Sequence, residues 1–375
     1  MSLRVLILLG TRPEAIKLAP VVDECRRRAG EIETLVCFTG QHREMLAQVD
    51  AYFGLRPDRN LDVMVAGQGL AELTGRCLVG VDGLLRDLEP GAVVAQGDTT
   101  TVMAASMAAF YRGVPFVHVE AGLRTGTLAA PWPEEFNRRV ATLSADLHCA
   151  PTERAAEQLR REGIAPGRVR VTGNTVVDAL LGTLARERAA DRPWPERYAM
   201  IGDRRMVLVT GHRRESFGDG FRRICQAIRE LGERFAGDVE IVYPVHPNPA
   251  VEAPVRELLA GRGNVHLVPP ASYPEFVWLM GRSTLILTDS GGVQEEAPSL
   301  GKPVLILRDS TERPEAVECG AAELVGTSVA TIVDRASRLL TDPAAYARMQ
   351  VKTNPFGDGR ASSRIVDFIL SSLGR

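Results

Sequence analysis

The sequence predicts an α/β fold: two doubly wound, parallel-sheet domains joined by a hinge. Three observations carry that expectation. Short apolar runs alternate with helical patterns along most of the chain. The alternation breaks once, near residues 186–205, and then restarts. The apolar runs are continuous rather than every second residue, as in strands buried on both faces. The length of 375 residues suits two domains, or three small ones, at roughly 100–200 residues each.

In chain order, a strand is expected at 4–9, stopped by Gly10 and Pro13, with a helix at 14–28. A strand at 34–39 ends at Gly40, and helices follow at 43–53 and 71–88. Strand 92–96 ends at Gly97, helix 100–112 at Gly113, and strands 115–119 and 169–172 follow. Arg192-Pro193-Trp194-Pro195 interrupts a charged stretch and reads as the hinge. The second half repeats the alternation. Strands are expected at 206–210, 240–243, 265–268, 284–288 and 304–307, and helices at 220–235, 251–259, 274–281 and 293–300. Helical segments at 329–340, 344–350 and 362–373 close the chain. The expected domains are 1–190 and 191–360.

Composition narrows the class. Hydrophobic residues are 45% and charged residues 25%, which excludes a disordered tail, a collagen-like rod and a disulfide mini-protein. The net charge of −2 supplies no field that draws the chain to nucleic acid or anionic lipid. No apolar run approaches the ~18 residues of a membrane span. The run 5–9 is too short for a signal h-region, so a cytoplasmic protein is expected. The six cysteines lack zinc or redox spacing and read as buried thiols; no His-x-x-x-His pair occurs, and no metal site is expected. Only Lys17, Lys302 and Lys352 are lysines among 45 basic residues. Arginine has replaced lysine elsewhere, so the survivors merit inspection.

Ligands of open α/β sheets bind beyond the carboxyl ends of the strands, and the unusual residues fall there. The clusters are Gly10-Thr11-Arg12-Pro13-Glu14, Gly40-Gln41-His42-Arg43, Gln96-Gly97-Asp98-Thr99-Thr100 and His118-Val119-Glu120-Ala121-Gly122. The second half adds Gly211-His212-Arg213, Val245-His246-Pro247, Asp289-Ser290-Gly291-Gly292 and Arg308-Asp309-Ser310. If the two domains face each other, all of them line one central cleft. Each cluster alone is explained by turn chemistry; together they carry more His, Arg and Glu than turns require.

Ser290-Gly291-Gly292 ends a strand and opens a helix, a geometry suited to a phosphate, and Glu296 could accept from a ribose diol. The bland alternative is an N-cap at Ser290. No Walker lysine and no Gly-x-Gly-x-x-Gly occurs, so a nucleoside diphosphate fits better than a dinucleotide, and no cofactor is expected. Asp98 and Glu120 stand at the ends of neighbouring strands, and Glu134-Glu135 open another segment. Clustered carboxylates suit proton transfer; for Glu134 and Glu135 alone, favourable charge at a helix start is the better explanation. Arg12, Lys17, Arg138 and His212 could meet a leaving diphosphate.

These motifs together resemble the non-hydrolysing UDP-N-acetylglucosamine 2-epimerases. The matching segments are Gly10-Thr11-Arg12-Pro13-Glu14-Ala15-Ile16-Lys17, Gln41-His42-Arg43-Glu44-Met45, Gly97-Asp98-Thr99-Thr100-Thr101 and His118-Val119-Glu120-Ala121-Gly122-Leu123-Arg124-Thr125. Pro131-Trp132-Pro133-Glu134-Glu135, Gly173-Asn174-Thr175, the run from Thr210 to Phe217 and the block 289–313 continue the match in order. The resemblance implies a GT-B-like fold of two Rossmann-like domains, with segment 361–375 crossing back to the first. It implies reversible conversion of UDP-GlcNAc to UDP-ManNAc through elimination of UDP to 2-acetamidoglucal and re-addition, without metal or nicotinamide. Asp98, Glu120, Glu134, Arg138 and His212 are its catalytic candidates, and which carboxylate removes the C2 proton stays open. Arg12, Lys17, Ala271, Phe276, Ser290, Gly291, Gly292, Glu296 and Arg313 match substrate contacts, with Ala271 where a relative can have Gln. Gln41, His42 and Arg213 match segments involved in activation by UDP-GlcNAc. A homodimer is implied. The competing readings are a GT-B glycosyltransferase with a UDP-sugar donor, a hydrolysing epimerase that releases ManNAc, and a nucleotide-sugar sensor.

Overall fold

The computed structural model describes residues 2–41, 43–129, 131–190, 192–213 and 216–374; side chains of residues 43–45 lie outside the description. The chain divides into two compact units. The first comprises Met1–Ala179 and Phe356–Arg375, the second Leu180–Pro355.

The first unit is built on β1 (Leu3–Leu9), β2 (Ile32–Phe38), β3 (Arg59–Asn60), β4 (Ala92–Gln96), β5 (Phe116–Val119), β6 (Leu147–Ala150) and β7 (Val169–Val171). They form a sheet in the order β3-β2-β1-β4-β5-β6-β7, every pair parallel. Val5 to Leu9 are wholly buried, as a strand covered on both faces requires. The alanine-rich helix Thr100–Arg112 packs its small side chains with Leu6, Leu8, Val93, Ala95 and Phe116.

The second unit repeats the design with β8 (Arg205–Thr210), β9 (Val239–Pro244), β10 (Val265–Val268), β11 (Leu285–Thr288), β12 (Val304–Ile306) and β13 (Ala322–Leu324). Their order is β10-β9-β8-β11-β12-β13, again all parallel. Val207, Val209, Phe221, Ile228, Ile241 and Tyr243 form its core. In both units the strand order reverses beside the first strand, between β1 and β4 and between β8 and β11. The crevice at such a reversal is the usual ligand position in this architecture.

The division between the units falls inside the helix Thr175–Ala189, not at 190/191. The reason is local packing. Asn174 N–H donates to the Phe356 carbonyl at 2.6 Å, and Asp178 accepts from the backbone of Ala361 and Ser362 at 3.1 and 2.8 Å. The helix Ala361–Leu373 therefore starts against first-unit residues, and Asp367 on it pairs with Arg28 at 2.5 Å.

β3, β6 and β13 and the helices Glu153–Arg161 and Thr175–Ala189 were not expected as elements, and of the helix Glu134–Ser144 only the start was anticipated. β3 has two exposed residues, and β6 carries His148 within its four, so neither makes an apolar run. The helix Glu153–Arg161 buries only Ala155, Ala156 and Leu159, too thin a stripe to show periodicity. Five cysteines are buried, and burial pushes Cys25, Cys37, Cys149 and Cys225 up to about 12. Cys319 is the exception to the expectation of buried thiols: it is exposed just past the short helix Pro314–Glu318. Among the described residues, no helix is long and apolar enough to cross a membrane.

Candidate active site

In the first unit, β1 runs out at Gly10 and the helix Arg12–Arg27 begins with Thr11 as its N-cap. Arg12 is half-buried in the first turn. Lys17, one turn on, is buried, and its Nζ donates to Glu120 Oε2 at 2.5 Å. The same oxygen accepts from Gln96 Nε2 at 2.9 Å and Asn174 Nδ2 at 3.1 Å. Glu120 follows β5 with a left-handed backbone, φ +63°. That conformation is uncommon for a side-chain-bearing residue and concentrates at functional positions. Here it turns the carboxylate toward Lys17.

Asp98 follows β4, which pairs with β5, so the two acids stand at the ends of neighbouring strands. The Asp98 carboxylate forms an ion pair with Arg138. Its carbonyl accepts from Asn137 Nδ2 at 2.9 Å, and the carbonyl of Gly97 accepts from His118 Nε2 at 2.7 Å. A carbonyl can only accept, so Nε2 carries the His118 proton. Burial lowers the His118 pKa to about 4, which keeps the ring neutral.

Glu134 and Glu135 separate in role. Glu134 is half-buried at the first position of its helix. Glu135 is wholly buried and accepts from Arg139 at 3.0 Å, Arg138 at 3.3 Å and the Thr125 N–H at 3.1 Å. It braces the arginine that pairs with Asp98. Gln41 Oε1 accepts from Thr101 Oγ1 at 3.3 Å; His42 lies outside the described residues.

In the second unit the buried Asp289 gathers the turn after β8. Its Oδ2 accepts from the N–H groups of His212 and Arg213, each at 2.8 Å. Oδ1 lies 3.5 Å from His212 Nδ1, and the His212 ring stacks on His246 with centroids 5.6 Å apart. Partial burial lowers the His212 pKa, opposed by the Asp289 charge. Ser290 precedes the helix Gly291–Glu296, and its side chain makes no cap bond, which removes the N-cap explanation and leaves the hydroxyl for other use. Arg313 lies beside Gly291 and donates through Nε to the buried Glu295 at 2.9 Å. Glu296 Oε1 accepts from Tyr273 Oη at 2.9 Å. Tyr273 opens the helix Tyr273–Arg282, which also carries the half-buried Phe276; Ala271 lies in the loop before it.

Sequence reasoning missed Gln96, Asn137, Asn174 and Tyr273 as partners of the charged groups, and it gave Glu14 and His118 no role. Glu14, Gln96 and His118 stand in the strand-end clusters and Asn174 in a matching segment, and Glu14 adds the Thr-x-x-Glu spacing of a capping box at Thr11. Among the described residues, no cluster of three or more His, Cys, Asp or Glu could hold a metal ion.

Comparison with known proteins identifies the family. The sequence model of the family described as UDP-N-acetylglucosamine 2-epimerase matches residues 23–370. A UDP-N-acetylglucosamine 2-epimerase from Yersinia pestis is 51% identical, covering 97% of this chain and 97% of its own length. One from Escherichia coli is 50% identical over 97% of this chain and 98% of its own. Among solved structures, UDP-GlcNAc 2-epimerase from Neisseria meningitidis bound to UDP-GlcNAc superposes with a TM-score of 0.91 at 44% identity, covering 98% of this chain and 100% of that one. The expected fold class, α/β with two doubly wound parallel sheets of the GT-B-like kind, is the one these structures share. With a family match over nearly its whole length and relatives at half identity, the chain belongs to the UDP-N-acetylglucosamine 2-epimerase family.

Proposed function

We propose that the protein interconverts UDP-GlcNAc and UDP-ManNAc without net hydrolysis. The carrying observation is the pair of carboxylates at adjacent strand ends, each matched to its own cation: Asp98 to Arg138 and Glu120 to Lys17. The C2 hydrogen of the sugar is weakly acidic, so its removal needs a positioned base. In the forward step a carboxylate takes that proton as the C1–O bond to UDP breaks, which gives 2-acetamidoglucal and UDP. In the return step UDP oxygen re-forms the bond to C1 while C2 gains a proton on the opposite face. Asp98, Glu120 and Glu134 are the groups assigned to the proton transfers, with Arg138 holding Asp98.

Charge developing on the departing diphosphate calls for preorganised donors. Arg12, Lys17, His212, Ser290, the backbone of Gly291 and Gly292, and Arg313 are assigned to it. Glu296, oriented by Tyr273, is assigned to the ribose, and Phe276 with the backbone at Ala271 to the uracil. Gln41, His42 and Arg213 are assigned to activation by UDP-GlcNAc. The Nε of Arg213 is buried without a hydrogen-bond partner among the described residues, which supports an anion near it.

A homodimer is part of the reading. Phe110, Tyr111 and Leu143 are exposed on the helices Thr100–Arg112 and Glu134–Ser144, beside a 240 Å³ recess that they line with Met107 and Val140.

Incubation with UDP-GlcNAc in D2O, without any acceptor, tests the function. The expected result is UDP-ManNAc with deuterium at C2 in both sugars. Free ManNAc plus UDP would establish the hydrolysing reaction instead. An unchanged substrate without exchange would remove the epimerase reading and leave transfer or sensing.

A further inference from the structure

Glu14 is almost completely buried at the start of the helix Arg12–Arg27, yet none of the assigned chemistry uses it. Its Oε2 accepts from the N–H groups of Gly10 at 2.9 Å and Thr11 at 2.5 Å, and so closes the turn after β1. Its Oε1 accepts from Thr99 Oγ1 at 2.6 Å. Thr99 adjoins Asp98 in the turn after β4, and its hydroxyl also accepts from Val102 N at 3.4 Å at the start of the next helix. β1 and β4 are the neighbours between which the strand order reverses. One carboxylate therefore clasps the two turns at the reversal point.

A helix N-cap alone would not require this arrangement. A capping box is complete with the bonds to the turn after β1; the second oxygen, aimed at another strand's turn, is additional. The turn after β4 is held at three further points: the Gly97 carbonyl by His118, the Asp98 carbonyl by Asn137, and the Gly97 N–H by the Val119 carbonyl at 3.0 Å. Those contacts come from β5 and from the helix Glu134–Ser144. Glu14 supplies the contact from the β1 side, where Arg12 and Lys17 originate.

We infer that Glu14 is a positioning residue for the epimerisation, holding the Asp98 turn at a set distance from the turn that carries Arg12 through its bond to Thr99. This rests on the reading that Asp98 takes part in the proton transfers. Catalysis is sensitive to such a distance, because a displacement near 1 Å in a reacting group can lower the rate by about a hundredfold.

The test uses the full chain and three variants. Thr99→Val keeps the branched shape but removes the hydroxyl, Thr99→Ser keeps the hydroxyl, and Glu14→Asp keeps the carboxyl group but is one methylene too short to bridge both turns. In Thr99→Val and Glu14→Asp, kcat is expected to fall by about tenfold or more, while KM and UDP affinity stay within about threefold. Thr99→Ser is expected to retain kcat within about threefold of the parent. Circular dichroism and UDP affinity establish that each variant is folded. Parental kcat in both Thr99→Val and Glu14→Asp would overturn the inference, as would a Thr99→Ser variant as slow as Thr99→Val. Should Thr99→Val fail to fold, Glu14→Asp set against Thr99→Ser decides by the same criteria. Asp98→Asn, measured alongside, separates the two levels. Parental turnover in Asp98→Asn removes the reading of Asp98 itself, whereas lost turnover there with parental turnover in Thr99→Val removes only the positioning role.

Discussion

Glu14 and His118 lie on either side of the Asp98 turn, and both are buried ionisable groups whose titrations oppose each other. Burial raises Glu14 from the ordinary 4.5 to about 7, even with hydrogen bonds from Thr99, Thr11 and Gly10 favouring its charge. Below pH 4.5 the carboxyl is neutral in the folded and unfolded chains alike, and its contribution to stability is fully present. As pH rises through 7 the folded chain must ionise a buried group, and that contribution is lost. The difference between 4.5 and about 7 corresponds to about 3 kcal/mol. His118, lowered from 6.5 to about 4, runs the other way: its contribution is present above pH 6.5 and lost as pH falls through 4. Glu14→Gln removes only the first effect. Urea unfolding midpoints measured from pH 4.5 to 8 should show the variant gaining on the parent as pH rises, by about 3 kcal/mol in all. A constant difference across that range would mean Glu14 does not titrate between the two states.

At the scale of elements, what was legible followed the strength of the physical signal. The strands β1, β4, β8 and β11 are apolar runs stopped by Gly or Asp, and their ends, like those of β5, were placed within a residue. Because chemistry in this architecture gathers at strand ends, locating those runs also located Arg12, Asp98, Glu120, His212 and Ser290. The pairings made from the intervening helices were not legible, even where the residue itself, as with Arg138, was a candidate. Asn137 and Arg138 reach the Asp98 turn from the helix Glu134–Ser144, a contact about forty residues away in sequence that no local pattern encodes. The same limit hid the packing at Gly291. A Cβ there would lie 2.8 Å from Cζ and 2.9 Å from Nη1 of Arg313. Arg313 cannot yield freely, because its Nε is bound to the buried Glu295. Gly291→Ala should displace the guanidinium, lower UDP affinity by about tenfold and destabilise the fold by about 1–2 kcal/mol. Gly292→Ala, whose added carbon meets nothing nearer than 3.9 Å, is the control for stability. Calorimetric titration with UDP and thermal melts read both, and unaltered UDP affinity in Gly291→Ala would detach Arg313 from the nucleotide.

At the scale of the whole molecule, the surface carries an apolar patch that a solitary chain does not need. Phe110, Tyr111 and Leu143 are 65%, 67% and 83% exposed, on two helices of the first unit. Contiguous apolar surface of this kind usually marks an interface. A stable pairing buries about 1,200–2,000 Å² in total, so these side chains would supply only its centre, where binding energy concentrates. Leu143 separates association from folding. Its side chain is largely in solvent in the single chain, so Leu143→Arg removes little packing there and should leave the circular dichroism and melting temperature of the isolated chain nearly unchanged. Within an interface the same change would bury an arginine that has no arranged partner, at a penalty of several kcal/mol. Sedimentation velocity at micromolar concentration should find a dimer for the parent and a folded monomer for Leu143→Arg. A monomeric parent removes the dimer from the proposal, and a variant as dimeric as the parent moves the interface to another face.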